Sequence, residues 1–412
     1  MISRRELLSR MGRGVVVLGG ASLLFDGIGS DWLAAAESDP GLAGNLAEIL
    51  KNAPVGQFWT STALPGASCV DCHLPGSVPK QAAHDHGKGS IVRCQLCAQG
   101  CTIRDGERGK CRARMNVRGQ LRSLVYGRPM TVHVDPIEKK PFYHFLPGSL
   151  AYSLSTSGCP LRCKFCQNWQ ISQASPEDYS SPIVSAAEVA TAAKERKAPV
   201  VAFTYNEPTV FAEYLFDIAR EARKRELRSV LVSCGFMQEK PLARMCELLD
   251  AIKIDLKGFS EEFYRNVSSA ELAPVLRSIR QIHRSGVHLE IVNLVVPTLN
   301  DSEAMMKGLV EWVAGELGPD VPIHFTRFHP DYQLQNLPPT PVATLERIWR
   351  LAREKGLHYA YVGNVPDHPG NTTFCPKCAK AVVRRNGFFV TEQSLKKGRC
   401  AFCGEMIAGV WS

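Results

Sequence analysis

The sequence predicts an α/β fold, a partial (β/α)6 barrel over residues 147–366, with a cysteine-rich segment before it and a four-cysteine tail behind it. Three observations carry this. Short β-branched runs alternate with amphipathic helical runs from Leu150 onward. All of the 15 cysteines except Cys234 and Cys246 fall into four tight groups. The composition, 45% hydrophobic and 22% charged over 412 residues, is that of an ordinary globular chain long enough for two or three domains.

Taken in chain order, "MISRRELLSRMGRGVVVLGGASLLF" sets Arg4 and Arg5 before Leu7, Leu8 and a modest apolar run. Ala34 and Ala36 then offer an A-x-A cleavage site, so residues 1–36 read as a twin-arginine export signal. The apolar run is too short and glycine-rich to span a bilayer, and no stable membrane span is expected. A net charge of +9 is moderate for this length. The basic residues between Arg104 and Arg122 lack interleaved aromatics, which argues for a solvated surface and against a nucleic-acid partner.

Residues 37–90, rich in Pro, Gly, Ala and Ser, read as a linker carrying "CVDCHLPGSVPKQAAHDH". Cys69, Cys72 and His73 form the C-x-x-C-H pattern of c-type haem attachment. With His84 and His86 the same cysteines could instead make a Cys2His2 zinc clip. Twin-arginine substrates fold before crossing, whereas haem attachment acts on unfolded chains, so the metal clip is preferred over haem c. In residues 91–146, Cys94, Cys97, Cys101 and Cys111 are spaced C-x2-C-x3-C-x9-C. Four thiolates without an open position suit a structural zinc or an auxiliary [4Fe–4S] cluster better than disulfides. "QLRSLVYGRPMTVHVD" then alternates like short strands.

The barrel strands are "LAYSLST", "PVVAFTY", "RSVLVSC", "AIKIDLK", "VHLEIVNLVV" and "PIHFTRF", with "YAYVG" following the sixth. Amphipathic helices between them imply parallel strands, right-handed crossovers and a site at the carboxyl ends of the strands. Directly after the first strand comes "SGCPLRCKFCQNW", with Cys159, Cys163 and Cys166 spaced C-x3-C-x2-C. Three thiolates on one loop can hold three irons of a [4Fe–4S] cube and leave the fourth to a chelating cofactor. S-adenosylmethionine (SAM) can chelate there through its amino and carboxylate groups. One-electron transfer to its sulfonium would yield a 5′-deoxyadenosyl radical.

This loop, C-x3-C-x-Φ-C with Phe165 as the aromatic, resembles that of the radical SAM superfamily. The resemblance implies that Phe165 lies beside the adenine. "TYNEP" resembles the family's G-G-E-P segment, with Glu207 at the glutamate that meets the SAM amino group and Asn206 replacing a glycine. The plainer reading of N-E-P is a helix entry with Pro208 in its first turn. Asp255 and Lys257 of "IKIDLKG" resemble the D-x-K of glycyl-radical-enzyme activases, with a structural ion pair as the alternative. Asn293 and His324 are further candidates for cofactor binding, against a simply packed histidine.

"VRCQLCAQGCTIRDGERGKCRARMN", "HVDPIEKKPFYHFLPGS" and the terminal "GVW" together resemble the AmmeMemoRadiSam-system radical SAM enzymes, relatives of pyruvate formate-lyase activating enzyme. That likeness implies a reductant such as flavodoxin or ferredoxin, and AMMECR-like and Memo-like proteins as companions. Where the relatives carry Ser/Thr-Asn-Gly after the third strand, this chain has Ser233-Cys234-Gly235.

In residues 367–412, Cys375-x2-Cys378 and Cys400-x2-Cys403 bracket a hairpin and resemble a zinc ribbon or rubredoxin-like tail. Zinc there would add folding free energy and iron would make an electron relay. The expected function is hydrogen abstraction from an unidentified substrate. Glycyl radical enzyme activation is the runner-up, and an exported multi-cluster electron-transfer protein is the alternative of another class. The export signal points to the cell envelope, while SAM and low-potential donors are cytoplasmic, so the two expectations conflict.

Overall fold

The computed structural model of the protein describes residues 46–61 and 90–412. The export signal and the Cys69, Cys72, His73, His84 and His86 element lie outside the described residues. Helix Leu46–Asn52 leads to β1 (Trp59–Ser61), which pairs antiparallel with β2 (Ile91–Cys94), and β2 pairs with β3 (Thr102–Arg104). The hairpin of β4 (Arg114–Val117) and β5 (Gln120–Ser123) follows. The linker expectation is corrected for residues 46–61. Ile49 and Ala53 are buried, and the Gln57 amide donates to Glu213 Oε1 at 2.6 Å. A few apolar anchors fix this stretch, too few to leave a periodic pattern.

The main sheet has eight strands in sequential spatial order: β6 (Thr131–Pro136), β7 (Leu150–Ser155), β8 (Val200–Phe203), β9 (Arg228–Ser233), β10 (Ala251–Asp255), β11 (His288–Val295), β12 (Ile323–Arg327) and β13 (Ala360–Gly363). Strands β7 to β13 are all parallel, and β6 runs antiparallel to β7. Among the described residues no pairing closes β6 on β13, so the barrel is partial and mixed. The parallel set therefore has seven strands where six repeats were expected. "YAYVG" adds the seventh because it continues the register of β12, Ile323 opposite Ala360.

Each predicted helix forms, at Ala186–Glu195, Ala212–Arg223, Glu239–Leu248, Leu272–Ser285, Glu303–Leu317 and Val342–Glu354. Their starts and stops follow from local chemistry. Ser185 and Glu188 form a capping box, Ser302 caps with its side chain, and Gly286 ends its helix at φ +77°. The period-two alternation of the strands sends Leu154, Phe203, Leu231, Ile254, Ile291 and Phe325 outward into the large core shared with these helices. Inward, at the amino ends of the strands, stand the smaller Ala151, Val200, Ala202, Val230 and Ala251. Their size leaves room for Ile137, Phe142 and Phe145, from the connection between β6 and β7, to fill the barrel floor.

One buried carboxylate ties that floor together. Glu290 on β11 accepts from the amides of Tyr143 (3.0 Å) and His144 (2.8 Å), from His324 Nε2 (2.7 Å) and from His288 Nε2 (3.1 Å). Burial raises its pKa, but the hydrogen bonds from His288 and His324 win and hold the carboxyl well below its ordinary range. The His324 imidazole is pushed down by burial, so the neutral ring donates. Residues 144–146 also receive the chain's last segment. The Val410 amide donates to the His144 carbonyl, and the Leu146 amide donates to the Val410 carbonyl, each at 2.7 Å. Gly409 makes this close approach possible, since a Cβ there would lie 2.6 Å from the His144 oxygen.

Glu290→Gln presents an amide NH2 to donors that need an acceptor, and should destabilise the fold by about 3 kcal/mol or more in denaturant titrations. Because the folded-state pKa of Glu290 is depressed, its stabilisation is present above the ordinary carboxylate range and is lost as the pH falls below it. The variant should therefore lose less stability on acidification than wild type, and an equal loss would contradict this assignment.

Candidate functional site

At the carboxyl ends of the strands lies a pocket of about 450 Å³, a size that suits a cofactor with a substrate beside it. It is lined by Cys159, Cys163 and Cys166 together with Phe165, Asn206, Glu207, Asp255, Lys257 and His324. The fold thus brings together nearly all the residues singled out for this site. The exception is Asn293, a correction to the sequence reading. It lies one residue out of phase with pocket-lining Val292 and Leu294, is fully buried, and donates to the Leu256 carbonyl at 2.7 Å. Strand alternation turns it away from the pocket.

The three-cysteine loop is anchored from several sides. Its amides at Arg162 and Lys164 donate to the Ser268 and Val267 carbonyls, each at 3.0 Å. The Arg162 guanidinium holds the Cys159 carbonyl (2.7 Å) and the Leu161 carbonyl (2.8 Å). Burial, then the charge of Glu207, pushes the Cys159 thiol well above its ordinary pKa. Burial likewise raises Cys163, against the pull of the Lys257 ammonium. Thiols so placed ionise when a cation arrives to take them.

Glu207 caps the turn Pro208–Phe211, as the plainer reading expects, and it also faces the pocket. Its Oε1 accepts from Thr209 N (3.2 Å), Thr209 Oγ1 (2.6 Å) and Ser233 Oγ (2.8 Å), and its Oε2 accepts from the Cys234 amide (2.8 Å). The carboxylate is thereby fixed in direction. Beside it, Asn206 donates to the Gly158 carbonyl at 2.8 Å, while its buried Oδ1 finds no partner among the described residues. An unmatched acceptor next to a fixed carboxylate has the chemistry to take hydrogen bonds from a cationic donor. Cys234 is buried in the lining, its thiol pushed well above the ordinary range by burial and then by Glu207.

Asp255 and Lys257 form an ion pair at 3.5 Å, and Lys253, on the same strand face, makes a closer one with Asp255. Burial works against the Asp255 charge, but the two ammonium groups hold its carboxyl below the ordinary value. The Lys257 ammonium lies over the Phe165 ring, 5.7 Å from its centroid, and Phe165 stacks on Phe263. Two lysines of this wall, Lys253 and Lys140, were missed in the sequence. Period-two spacing with Asp255 would have found Lys253. For Lys140, inside "EKKPF", no local pattern existed. Its ammonium bonds Asp135 Oδ2 (2.7 Å) and faces the Tyr205 hydroxyl (3.3 Å).

Two further four-cysteine sets differ in spacing. Cys375 and Cys403 approach to 3.6 Å, Cys378 and Cys400 to 3.7 Å, and all four sulfurs lie within 4.8 Å of one another. A tetrahedron of thiolates about 2.3 Å from one zinc has edges of about 3.8 Å, so this set fits a single ion. The hairpin between the two knuckles runs through Ala381–Asn386 and Phe389–Gln393. Cys94, Cys97, Cys101 and Cys111 line one small cavity, yet no three of their sulfurs meet that limit. No described cysteine is in a disulfide, and no described helix is long and apolar enough to cross a membrane.

The Radical SAM superfamily is matched over residues 153–309. The chain is 40% identical over 318 residues to the uncharacterised protein MJ0808 of Methanocaldococcus jannaschii, covering 77% of this chain and 95% of the relative. It is 25% identical over 130 residues to the benzylsuccinate synthase activating enzyme of Thauera aromatica, spanning 39% of that enzyme and 31% of this chain. Among solved structures, a radical SAM methyltransferase from Sphaerobacter thermophilus aligns with TM-score 0.42 and 15% identity, over 57% of this chain and 72% of that one.

Burial lowers the pKa of Lys140 to about 8 despite the opposing charge of Asp135; Lys139 and Lys253 add to the lowering. The folded protein then binds fewer protons here than the unfolded chain between pH of about 8 and the ordinary lysine value. Wild-type stability should accordingly rise, relative to Lys140→Met, as the pH goes from 7 to 10. Denaturant titrations of both proteins at the two pH values check the sign.

Proposed function

The chain belongs to the radical SAM superfamily, distantly related to glycyl-radical-enzyme activating enzymes, and from that premise we propose that its pocket binds SAM against a [4Fe–4S] cluster held by Cys159, Cys163 and Cys166. The observation that carries the reading is the convergence of these three thiols, Glu207 and the unmatched Asn206 Oδ1 on one pocket. The donor set fits. Three soft thiols on one loop, wider apart than a single ion needs, leave one cluster position for a chelating ligand. When bound, the cluster and SAM supply one-electron cleavage to a carbon radical that takes hydrogen from a substrate.

The chain's own residues bind and orient. Glu207 and Asn206 Oδ1 receive the ammonium of SAM, with Ser233, Thr209 and the Cys234 amide keeping the carboxylate aligned. Phe165, backed by Phe263, offers an apolar face to the adenine. Asp255 is clamped by Lys253 and Lys257, which leaves it able to accept from a ribose hydroxyl. His324 closes the bottom of the pocket, bound to Glu290 and stacked on Tyr361. Beneath it the floor is packed with Ile137, Phe142 and Phe145.

The substrate of the enzyme is open, and activation of a partner's glycine is the second reading, favoured by the likeness to activating enzymes. The electron-transfer alternative has no use for Glu207 or for an open cluster position. A flavodoxin- or ferredoxin-class donor would supply the electron. The close spacing of Cys375, Cys378, Cys400 and Cys403 supports zinc at the tail.

Anaerobically reconstituted protein reduced with dithionite should cleave SAM to 5′-deoxyadenosine. Cys163→Ala should abolish the product, and Glu207→Gln should lower it about ten-fold or more with a higher KM for SAM. No product from cluster-loaded wild type would overturn the proposal. Purified protein should also carry about one tightly held zinc per chain, and Cys378→Ser should lose it together with several degrees of Tm.

A further inference from the structure

The cysteine sets of this chain sort by sulfur spacing into two kinds. The C-terminal four fit one tetrahedral ion. The triad at Cys159, Cys163 and Cys166, which serves a cube in the reading above, does not meet that spacing, and neither do Cys94, Cys97, Cys101 and Cys111. The last four nonetheless surround a single cavity, with Leu96, Ile103 and Val210 as apolar walls. Thiolates each bound to a separate iron of a cube sit farther apart than four sharing one ion.

Other features of the cavity point to an anionic occupant. Amides of Leu96, Gln99 and Ala113 are directed at the sulfurs of Cys94, Cys97 and Cys111, and the Lys110 amide donates to Cys101 Sγ at 3.5 Å. Hydrogen bonds of this kind stabilise charge on cluster sulfurs. Arg114 lines the same cavity and is 1% exposed. One of its nitrogens pairs with Glu213, while Nε and Nη1 have no partner among the described residues. A buried guanidinium left short of acceptors beside four thiols is poised to offset negative charge.

The cavity also adjoins the pocket. Pro160 and Thr209 line it, each within two residues of a pocket group, Cys159 and Glu207. Gln99 Nε2 donates to the Pro160 carbonyl at 3.0 Å, and a Cβ on Gly158 would lie 2.3 Å from the Cys111 carbonyl. The two cysteine loops are thus in direct contact.

We infer that Cys94, Cys97, Cys101 and Cys111 hold a second [4Fe–4S] cube, closed to substrate, which relays single electrons to the site at Cys159, Cys163 and Cys166. The relay, though not the cube itself, rests on the function proposed above. One electron enters from a low-potential flavodoxin- or ferredoxin-class donor, reduces this cube, and leaves it for the second cluster. The relay cube returns to its oxidised state, and no bond is made or broken in it.

The test begins with a variant carrying Cys159→Ala, Cys163→Ala and Cys166→Ala, which leaves the second site intact. After anaerobic reconstitution it should hold about four sulfides and about four irons per chain beyond any ion at the tail, since a mononuclear site binds no inorganic sulfide. Its reduced EPR signal should not change on adding SAM. Zinc without sulfide in this variant would overturn the cube. The relay is read from Cys101→Ala, which should lower SAM cleavage driven by reduced flavodoxin about ten-fold or more beyond its effect with dithionite. Equal losses with both donors would overturn the relay and leave the cube standing. Wild type inactive with either donor would instead overturn the proposed function, and the sulfide count would still decide the cube. If Cys101→Ala does not fold, Arg114→Gln reads the same cube, since losing the guanidinium should lower its midpoint potential.

Discussion

The barrel is open, and an open barrel needs something to close its floor. Here that closure depends on the Glu290 carboxylate. A charge in this position would be costly alone, but two backbone amides and two imidazoles satisfy it. Through those bonds the connection between β6 and β7 becomes a plug, the final segment finds its docking edge, and His324 is fixed as the lower wall of the pocket. The site above is shaped by a constraint below it. The strands that carry the pocket residues have their amino ends packed on Ile137, Phe142 and Phe145.

Much of the fold was legible in the sequence because alternation is a strong signal when strands are buried on both faces and helices are amphipathic. The six long helices of the parallel region were anticipated, though the short helices Trp169–Ser172 and Glu261–Phe263 were not. What was misjudged was the count of parallel strands, since "YAYVG" is short and its membership in the sheet is a tertiary fact of register with β12. The segment Leu46–Ser61 was misjudged for the opposite reason. Its order comes from a handful of long-range contacts, Gln57 with Glu213 among them, which leave no local period to read.

The candidate site divides in the same way. The three cysteines announce themselves by spacing, and Glu207 by its place after a strand. Asn293 was placed in the site because it sits near the end of a strand, but position along a strand says nothing of which face a side chain takes. The alternation that exposes this error also reveals Lys253. Lys140 is different in kind. It belongs to a connection that folds back beneath the barrel, and no pattern in its neighbourhood foretells that it will meet Asp135 and Tyr205. The spacing of sulfurs is likewise a property of the folded chain: C-x2-C motifs occur in both four-cysteine sets, and their geometries differ.

Gly158 gives these loops a further property. Its Cα rests against the carbonyl of Cys111, leaving no room there even for a methyl group, so the loop of the cysteine triad and the loop of the upstream cysteines touch backbone to backbone. No side chain stands between them to absorb a displacement. A shift of either loop at this point runs straight into the backbone of the other, so neither can be repositioned alone. Mechanically, the two loops form one body.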